Sequence, residues 1–264
     1  QVWDKGYLYK DYRVTPHCPR CGTSLSSHEL SQGYKDVKDL TITAKFKLVD
    51  RENEYVLAWT TTPWTLPSNV ALAVGEQIEY VKVRHGEDLL WLAKERLEIF
   101  DEQPEVLETK KGSELVGLTY EPLFPFAKEA IGQSDQKDKI AFEVVAADFV
   151  TTEDGTGVVH TAVMYGQDDF ALGNEVGLPK LHLVNLDGTF VEATDFLAGR
   201  LVVDEDVAVD IIKDLAHRGL LFAKAKYEHS YPHCWRCKTK VIYYAKDSWY
   251  IRMSDLRDQL LKEN

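Results

Sequence analysis

All four cysteines of the chain fall in two Cys-x-x-Cys pairs, Cys18-Pro-Arg-Cys21 and Cys234-Trp-Arg-Cys237. Each pair can place two thiolates on one side of a tight turn, and two such turns complete a tetrahedral zinc site. Gly22, directly after the first pair, relieves that turn. Four thiolates leave no position open for a substrate water, so the expected Zn2+ is structural rather than catalytic. Two disulfides or four free thiols are the alternatives, and disulfides require an oxidising compartment that nothing in the sequence indicates. About 210 residues separate the pairs, against about 15–20 in an ordinary zinc ribbon. A metal there draws two distant stretches together, and whatever lies between leaves one base and returns to it. His17 and His233, each beside a pair, read as plain surface histidines.

A second concentration of chemistry is Trp59-Thr60-Thr61-Thr62-Pro63-Trp64-Thr65-Leu66-Pro67-Ser68-Asn69, with four threonines, two tryptophans and two prolines. The prolines stiffen the segment, so hydroxyls are held in place at lower entropic cost, as a grip on a small polar substrate requires. A Thr-rich strand with a Pro-containing loop accounts for the composition equally well. A third concentration is Asp154-Gly155-Thr156-Gly157-Val158-Val159-His160-Thr161-Ala162 followed by Tyr165-Gly166-Gln167-Asp168-Asp169. No Ser-His-Asp or Cys-His nucleophile arrangement is visible.

These segments need elements to position them. Leu40, Ile42, Ala44, Phe46 and Leu48 alternate with polar residues, the period of a half-buried strand. Glu54 to Trp59 reads as its partner across a turn at residues 50–53. Further short strands are expected at Val70–Val74, Ile78–Val83, Leu89–Ala93, Ile140–Ala146 and Gly157–Ala162. Helices are expected at Gln167–Val176, stopped by Gly177 and Pro179, from an Asp204 cap to His217, and at Asp255–Lys262 behind a Ser254 cap. Residues 132–139 read as an exposed loop. Many short strands and few helices predict a β-rich α+β fold, barrel-like, on a small zinc-ribbon base. The chain then divides into a cysteine-bearing base, residues 1–39 plus 225–264, and a body, residues 40–224.

The bulk numbers narrow the function classes. With 264 residues and 44% hydrophobic side chains, a real core is available. No run of about 18 apolar residues exists, so no membrane partner is expected. The start, Gln1-Val2-Trp3-Asp4, has no leader character and no initiating Met, so a part of a longer cytoplasmic protein is expected. A net charge of −12 counts against a free-standing nucleic-acid binder. It leaves room for an enzyme that touches only the end of a strand. The basic group Lys224, Lys226, Arg236, Lys238 and Lys240 reads as a solvated surface.

The threonine-rich segment resembles the editing-domain peptide of isoleucyl-tRNA synthetases, and the stretch from Asp154 to Asp169 resembles the second editing motif of the same family. The tail, Cys234 to Cys237 and then Trp249-Tyr250-Ile251-Arg252-Met253, resembles the return to the catalytic body. The valine and leucine relatives typically carry arginine where this chain has Thr62, so Thr62-Pro63-Trp64 points to the isoleucine enzyme. The signatures of the aminoacylation site (His-Ile-Gly-His and Lys-Met-Ser-Lys-Ser types) do not occur, so no amino-acid activation or productive ATP binding is expected of this chain. One departure is Val163-Met164, where the family usually has proline after His-x-Ala.

The resemblance implies a proofreading hydrolase that removes valine from tRNA(Ile), with the mischarged 3′ end and the rest of the synthetase chain as partners. It implies that Asp169 binds the substrate's α-ammonium, with Asp168 a helix-start residue. His160 would orient the attacking water or wall the pocket. Thr60, Thr61 and Thr62 would hydrogen-bond the ester, ribose or water. Trp64 would limit side-chain size, Asn69 would serve editing or fix its turn, and Gly155, Thr156 and Gly157 would admit the terminal adenosine. The competing reading is a non-catalytic zinc-ribbon interaction module, which explains the cysteines and acidity but not the two polar segments.

Overall fold

In the computed structural model, which describes residues 2–263, the strands run in chain order as β1 (Leu8–Cys18), β2 (Thr23–Ser24), β3 (Tyr34–Lys47), β4 (Glu54–Thr60), β5 (Ala71–Val74), β6 (Glu79–His85), β7 (Asp88–Ala93), β8 (Glu105–Lys111), β9 (Glu143–Ala146), β10 (Val158–Thr161), β11 (Leu221–Pro232) and β12 (Ile242–Ile251). The α-helices are α1 (Ser27–Ser31), α2 (Pro125–Gly132), α3 (Gln167–Val176), α4 (Glu205–His217) and α5 (Met253–Glu263). Of the opening segment Gln1–Asp4, Gln1 lies outside the described residues.

Strand β4 organises the body. One edge pairs antiparallel with β3, from Lys47–Tyr55 to Ile42–Thr60. The other edge is shared: its first half lies parallel to β7, with Glu54 opposite Leu89, and its last part lies parallel to β10, with Trp59 opposite Val159. The sheet therefore forks at Leu57 and continues as β7-β6-β8 on one branch and β10-β5-β9 on the other. Thr156 closes the fork. Its hydroxyl donates to the Leu57 carbonyl at 2.7 Å, and its own carbonyl accepts from Ala93 N–H.

Forking also explains why β4 is not a simple alternating strand. Val56 and Ala58 face the main core with Ile42, Phe46, Leu72 and Val144, whereas Leu57 faces a smaller core with Val81, Val83, Leu90 and Leu92. Both faces are buried, so the strand reads as a continuous apolar run. Helix α4 seals the main core with Val207, Ile211, Ile212 and Leu215.

The base is a separate three-stranded sheet in the order β12-β1-β2. It joins the body through a long antiparallel stalk, β3 with β11, paired from Pro232–Tyr34 to Leu221–Ala44. The expected boundary falls inside this stalk, where Thr41 pairs with Ala225. At its foot the chain crosses itself: His233 N–H donates to Gly33 O at 2.8 Å. A Cβ at Gly33 would lie 1.7 Å from the His233 carbonyl oxygen, so only glycine allows the crossing.

Several sequence expectations are corrected. Asp204 occupies the position before α4, but its side chain makes no capping bond. Ser254 lies inside α5 rather than ahead of it. The strand expected from Ile140 starts at Glu143, because Phe142 adopts a left-handed φ of 59° while its N–H bonds Val70 O. His17 and His233 are not surface residues: they are 1% and 8% exposed. Strands β1, β8, β11 and β12 and helix α2 were not expected from periodicity. No helix of the described residues is long and apolar enough to cross a membrane.

Candidate functional site

Strands β4 and β10 run side by side in the same direction, so their ends reach the same edge and deliver Thr60 and His160 to one cleft of about 250 Å³. The segment after β4 turns at once into a 3₁₀ helix, Pro63–Ser68, with Pro63 fixing its first turn. That turn folds Thr61, Thr62 and Thr65 back along the cleft beside Thr60. The opposite side is built by the start of α3, which brings Asp169. The cleft is at the small end for ligand sites, suited to one end of a molecule rather than its whole body.

Asp169 reaches back across the α3 start, where Ala162 N–H donates to Oδ1 at 2.8 Å. Gly166 makes this possible: a Cβ there would lie 1.9 Å from Asp169 Oδ2. Burial pushes the carboxyl up to about 6, against the opposing pull of the Ala162 N–H. No lysine or arginine lines the cleft, and its one histidine, His160, is held neutral by burial. A half-buried carboxylate without a cation is suited to receive one from a ligand. Asp168, next to it, is exposed.

His160 is 8% exposed, and burial lowers it to about 4, so its ring is neutral at ordinary pH. Both ring nitrogens are engaged, Nε2 with Thr65 Oγ1 at 2.8 Å and Nδ1 with Asn69 Nδ2 at 3.3 Å. Thr65 Oγ1 donates to Thr62 O at 2.8 Å, and Thr62 N–H donates to Thr60 Oγ1 at 3.1 Å. The hydroxyls of Thr60, Thr62 and Thr65 stand 3.3 Å apart in sequence. The histidine thus holds the threonine turn in shape and has no free nitrogen with which to take a proton.

Two expected residues stand behind the cleft rather than in it. Trp64 is buried against Tyr165, ring centroids 5.3 Å apart, and faces a neighbouring hollow with Thr61, Thr62 and Val203. Tyr165 takes the wall position, its hydroxyl accepting from Leu183 and Val184 N–H groups at 2.9 and 3.0 Å. Asn69, 2% exposed, is a partner of His160. Gly155, Thr156 and Gly157 line a second recess with Phe149, Thr151 and Asp154, and Trp59 and Val159 belong to both. Gly155 lies on the face of Trp59 and Gly157 on Ala93. Thr156 is 1% exposed, and its hydroxyl is spent on the fork.

Sequence reasoning did not single out Thr65, Tyr165, Val159 or Ala162. Thr65 carried a signal, one turn beyond Thr62 in a stiffened segment; Tyr165 required the three-dimensional path of the loop. Val163 and Met164, where the sequence leaves the expected pattern, are 2% exposed, and Val163 packs against Gly173.

At the base, Cys18, Cys21, Cys234 and Cys237 come together with all four Sγ atoms within 4.8 Å of one another. Thiolates at about 2.3 Å around one tetrahedral ion stand about 3.8 Å apart, so the cluster fits such an ion with small adjustments. Leu25, Leu30 and Val241 pack around it.

A family model described as "tRNA synthetases class I (I, L, M and V)" matches residues 1–264. The chain is 49% identical over its whole length to an isoleucine–tRNA ligase of Clostridium acetobutylicum and 51% identical to one of Bacillus thuringiensis. It spans about a quarter of those relatives, 24% of each. Among solved structures, the crystal structure of GlLeuRS-CP1 superposes with a TM-score of 0.53 at 12% identity, covering 71% of this chain and 100% of that one. That likeness concerns the fold.

Proposed function

The chain belongs to the class I tRNA synthetases of the I, L, M and V group, and from that membership we propose that it is the editing domain of an isoleucine–tRNA ligase, hydrolysing valine from mischarged tRNA(Ile). Identity near 50% to isoleucine ligases favours isoleucine over the valine and leucine relatives. The observation that carries the reading is the cleft in which the Asp169 carboxylate stands across from the Thr60–Thr62 hydroxyls, with a second recess that shares Trp59 and Val159 with it.

The chemistry follows from a limit on recognition. One methylene contributes only about 1–3 kcal/mol, and isoleucyl-tRNA synthetase is itself the usual illustration, with about 150-fold preference for isoleucine over valine. A second, smaller pocket that admits valine and refuses isoleucine supplies the rest, since one extra carbon in a rigid site costs overpacking energy. Asp169 anchors the α-ammonium. Thr60, Thr61 and Thr62 hydrogen-bond the ester and terminal ribose, and the Gly155–Gly157 recess takes the terminal adenosine. Val159, Ala162, His160 and Tyr165 bound the side chain. Water adds to the ester carbonyl carbon, the bond to the ribose oxygen breaks, and that oxygen leaves with a proton. Because neither His160 nitrogen is free, the histidine acts by shape and by holding the threonines.

Residues 1–39 plus 225–264 form the base that connects to the parent synthetase, and the four cysteines hold a structural Zn2+ there. The tRNA body is gripped by other parts of the parent enzyme, consistent with the acidity of this chain. The test is release of valine from valyl-tRNA(Ile), or from a valyl-adenosine ester, by the 264-residue chain and by Asp169→Ala. Hydrolysis above background in the wild type that is lost in the variant supports the reading; no hydrolysis of either substrate overturns it and favours a non-catalytic module.

A further inference from the structure

Tyr120 stands outside both motif segments, in the stretch between β8 and α2. It is 2% exposed, and its hydroxyl donates to Asn69 Oδ1 at 2.6 Å. Its ring is held edge-on by Phe46 at 5.3 Å and Phe142 at 6.2 Å. Its backbone N–H bonds Phe142 O, so neither ring nor hydroxyl has freedom to move away.

We propose that Tyr120 is a positioning residue of the cleft, the far end of a hydrogen-bond chain that fixes which nitrogen of His160 carries the proton. Each direction in the chain is forced by its neighbour. The Ala71 carbonyl can only accept, so the Asn69 atom 2.9 Å from it is the amide nitrogen. The other amide atom, Oδ1, then faces Tyr120, whose hydroxyl must donate. The second hydrogen of the Asn69 amide points to His160 Nδ1, which must be bare to accept it. The proton of the neutral ring therefore sits on Nε2 and is donated to Thr65 Oγ1. Thr65, already an acceptor, spends its own hydrogen on Thr62 O. The polarity set by Ala71 O and held in place by the Tyr120 hydroxyl thus arrives at the threonines that face the ligand.

Without the phenol oxygen, Asn69 Oδ1 is a buried acceptor with no donor. The amide is then anchored by Ala71 O alone, its long 3.3 Å bond to His160 Nδ1 loosens, and the ring loses the donor that keeps Nδ1 bare. The threonine turn loses its single arrangement. The effect on hydrolysis rests on the editing reading above; the effect on the histidine does not.

The experiment uses the 264-residue chain with 15N-labelled histidine, His160 being assigned by comparison with His160→Gln. Long-range proton–nitrogen spectra near pH 7 should show His160 protonated at Nε2 and bare at Nδ1. In Tyr120→Phe the two forms should become mixed, and kcat for valine release from valyl-tRNA(Ile) should fall severalfold with KM little changed. A wild-type ring protonated at Nδ1 overturns the proposal, as does a Tyr120→Phe chain with unaltered tautomer or unaltered kcat. Should that variant not fold, the wild-type chain decides alone. Its Tyr120 hydroxyl proton should exchange slowly and show a cross-peak to the Asn69 side chain, and absence of that signal also overturns the proposal. A wild type with the expected tautomer but no hydrolysis would refute the editing reading and leave the hydrogen-bond chain standing.

Discussion

Asp169 and His160 face the same cleft with opposite electrostatic costs, and the pH dependence of stability should separate them. Burial raises the Asp169 carboxyl from 3.8 to about 6. At about 1.4 kcal/mol per pH unit, the folded chain carries a cost of ~3 kcal/mol for that charge. The cost is absent below pH 4, where folded and unfolded states are both protonated, and complete above pH 6. Burial lowers His160 from 6.5 to about 4, which also corresponds to ~3 kcal/mol. Here the unfolded state takes up a proton that the folded ring refuses, so stability is full above pH 6.5 and is lost as the pH falls towards 4. Over that window the two slopes oppose each other and nearly cancel. Urea unfolding of the 264-residue chain at pH 4 to 8 should therefore show little dependence from this pair. Asp169→Asn, which keeps an acceptor for Ala162 N–H, should steepen the gain in stability with rising pH and exceed the wild type by up to ~3 kcal/mol relative to its value at pH 4. His160→Gln should tilt the curve the other way. Slopes are compared rather than levels, because each replacement also alters packing. Parallel curves for wild type and both variants would refute the assignment of these two costs.

Valine release should follow the same carboxylate. Its rate should decline as the pH falls through about 6, because an ammonium is held only by ionised Asp169, and a rate independent of pH from 5 to 7 would contradict that role. Thr62→Arg places a long cation beside Asp169 in the cleft and should reduce deacylation at least about tenfold while the melting temperature stays within a few degrees. Removing metal with a chelator, or replacing Cys18 with Ser, should loosen the base, read as faster amide exchange in β1 and β12, and one equivalent of Zn2+ should reverse the chelator effect. Gly33→Ala should destabilise the chain by at least about 2 kcal/mol in urea unfolding, since its Cβ meets backbone and not a movable side chain.

Much of the body was legible because its strands and helices obey period and punctuation. Gln167–Val176 ends at Gly177 as its sequence indicates, with φ of 82°. The cysteine spacing indicated the base, but the strands of the stalk and base were not legible. Strand β11 is exposed or half-buried along nearly its whole length, and β1 and β12 mix charged and aromatic residues without regular alternation, so no apolar period marks them. At the site, the residues with unusual local composition were found and those with ordinary composition were missed. Thr60 to Thr62, His160 and Asp169 do line one cleft. Tyr165 lines it too, yet nothing in its neighbours distinguishes it from a core tyrosine. Asn69 and Trp64 share the conspicuous segment but sit one layer back, because a 3₁₀ turn directs only some of its side chains towards the opening.

The stalk has a consequence for how the chain assembles in time. Tyr34 meets Pro232 across roughly 200 intervening positions, while β3–β4 and β6–β7 close over short turns. Loop closure over so long a span must precede any reward from its ladder, which slows the step. The two hairpins should be protected first in pulse-labelled exchange, and the stalk strands after them. Until they meet, β3 offers an unpaired edge to any neighbouring chain, so dilution should raise the yield of refolding.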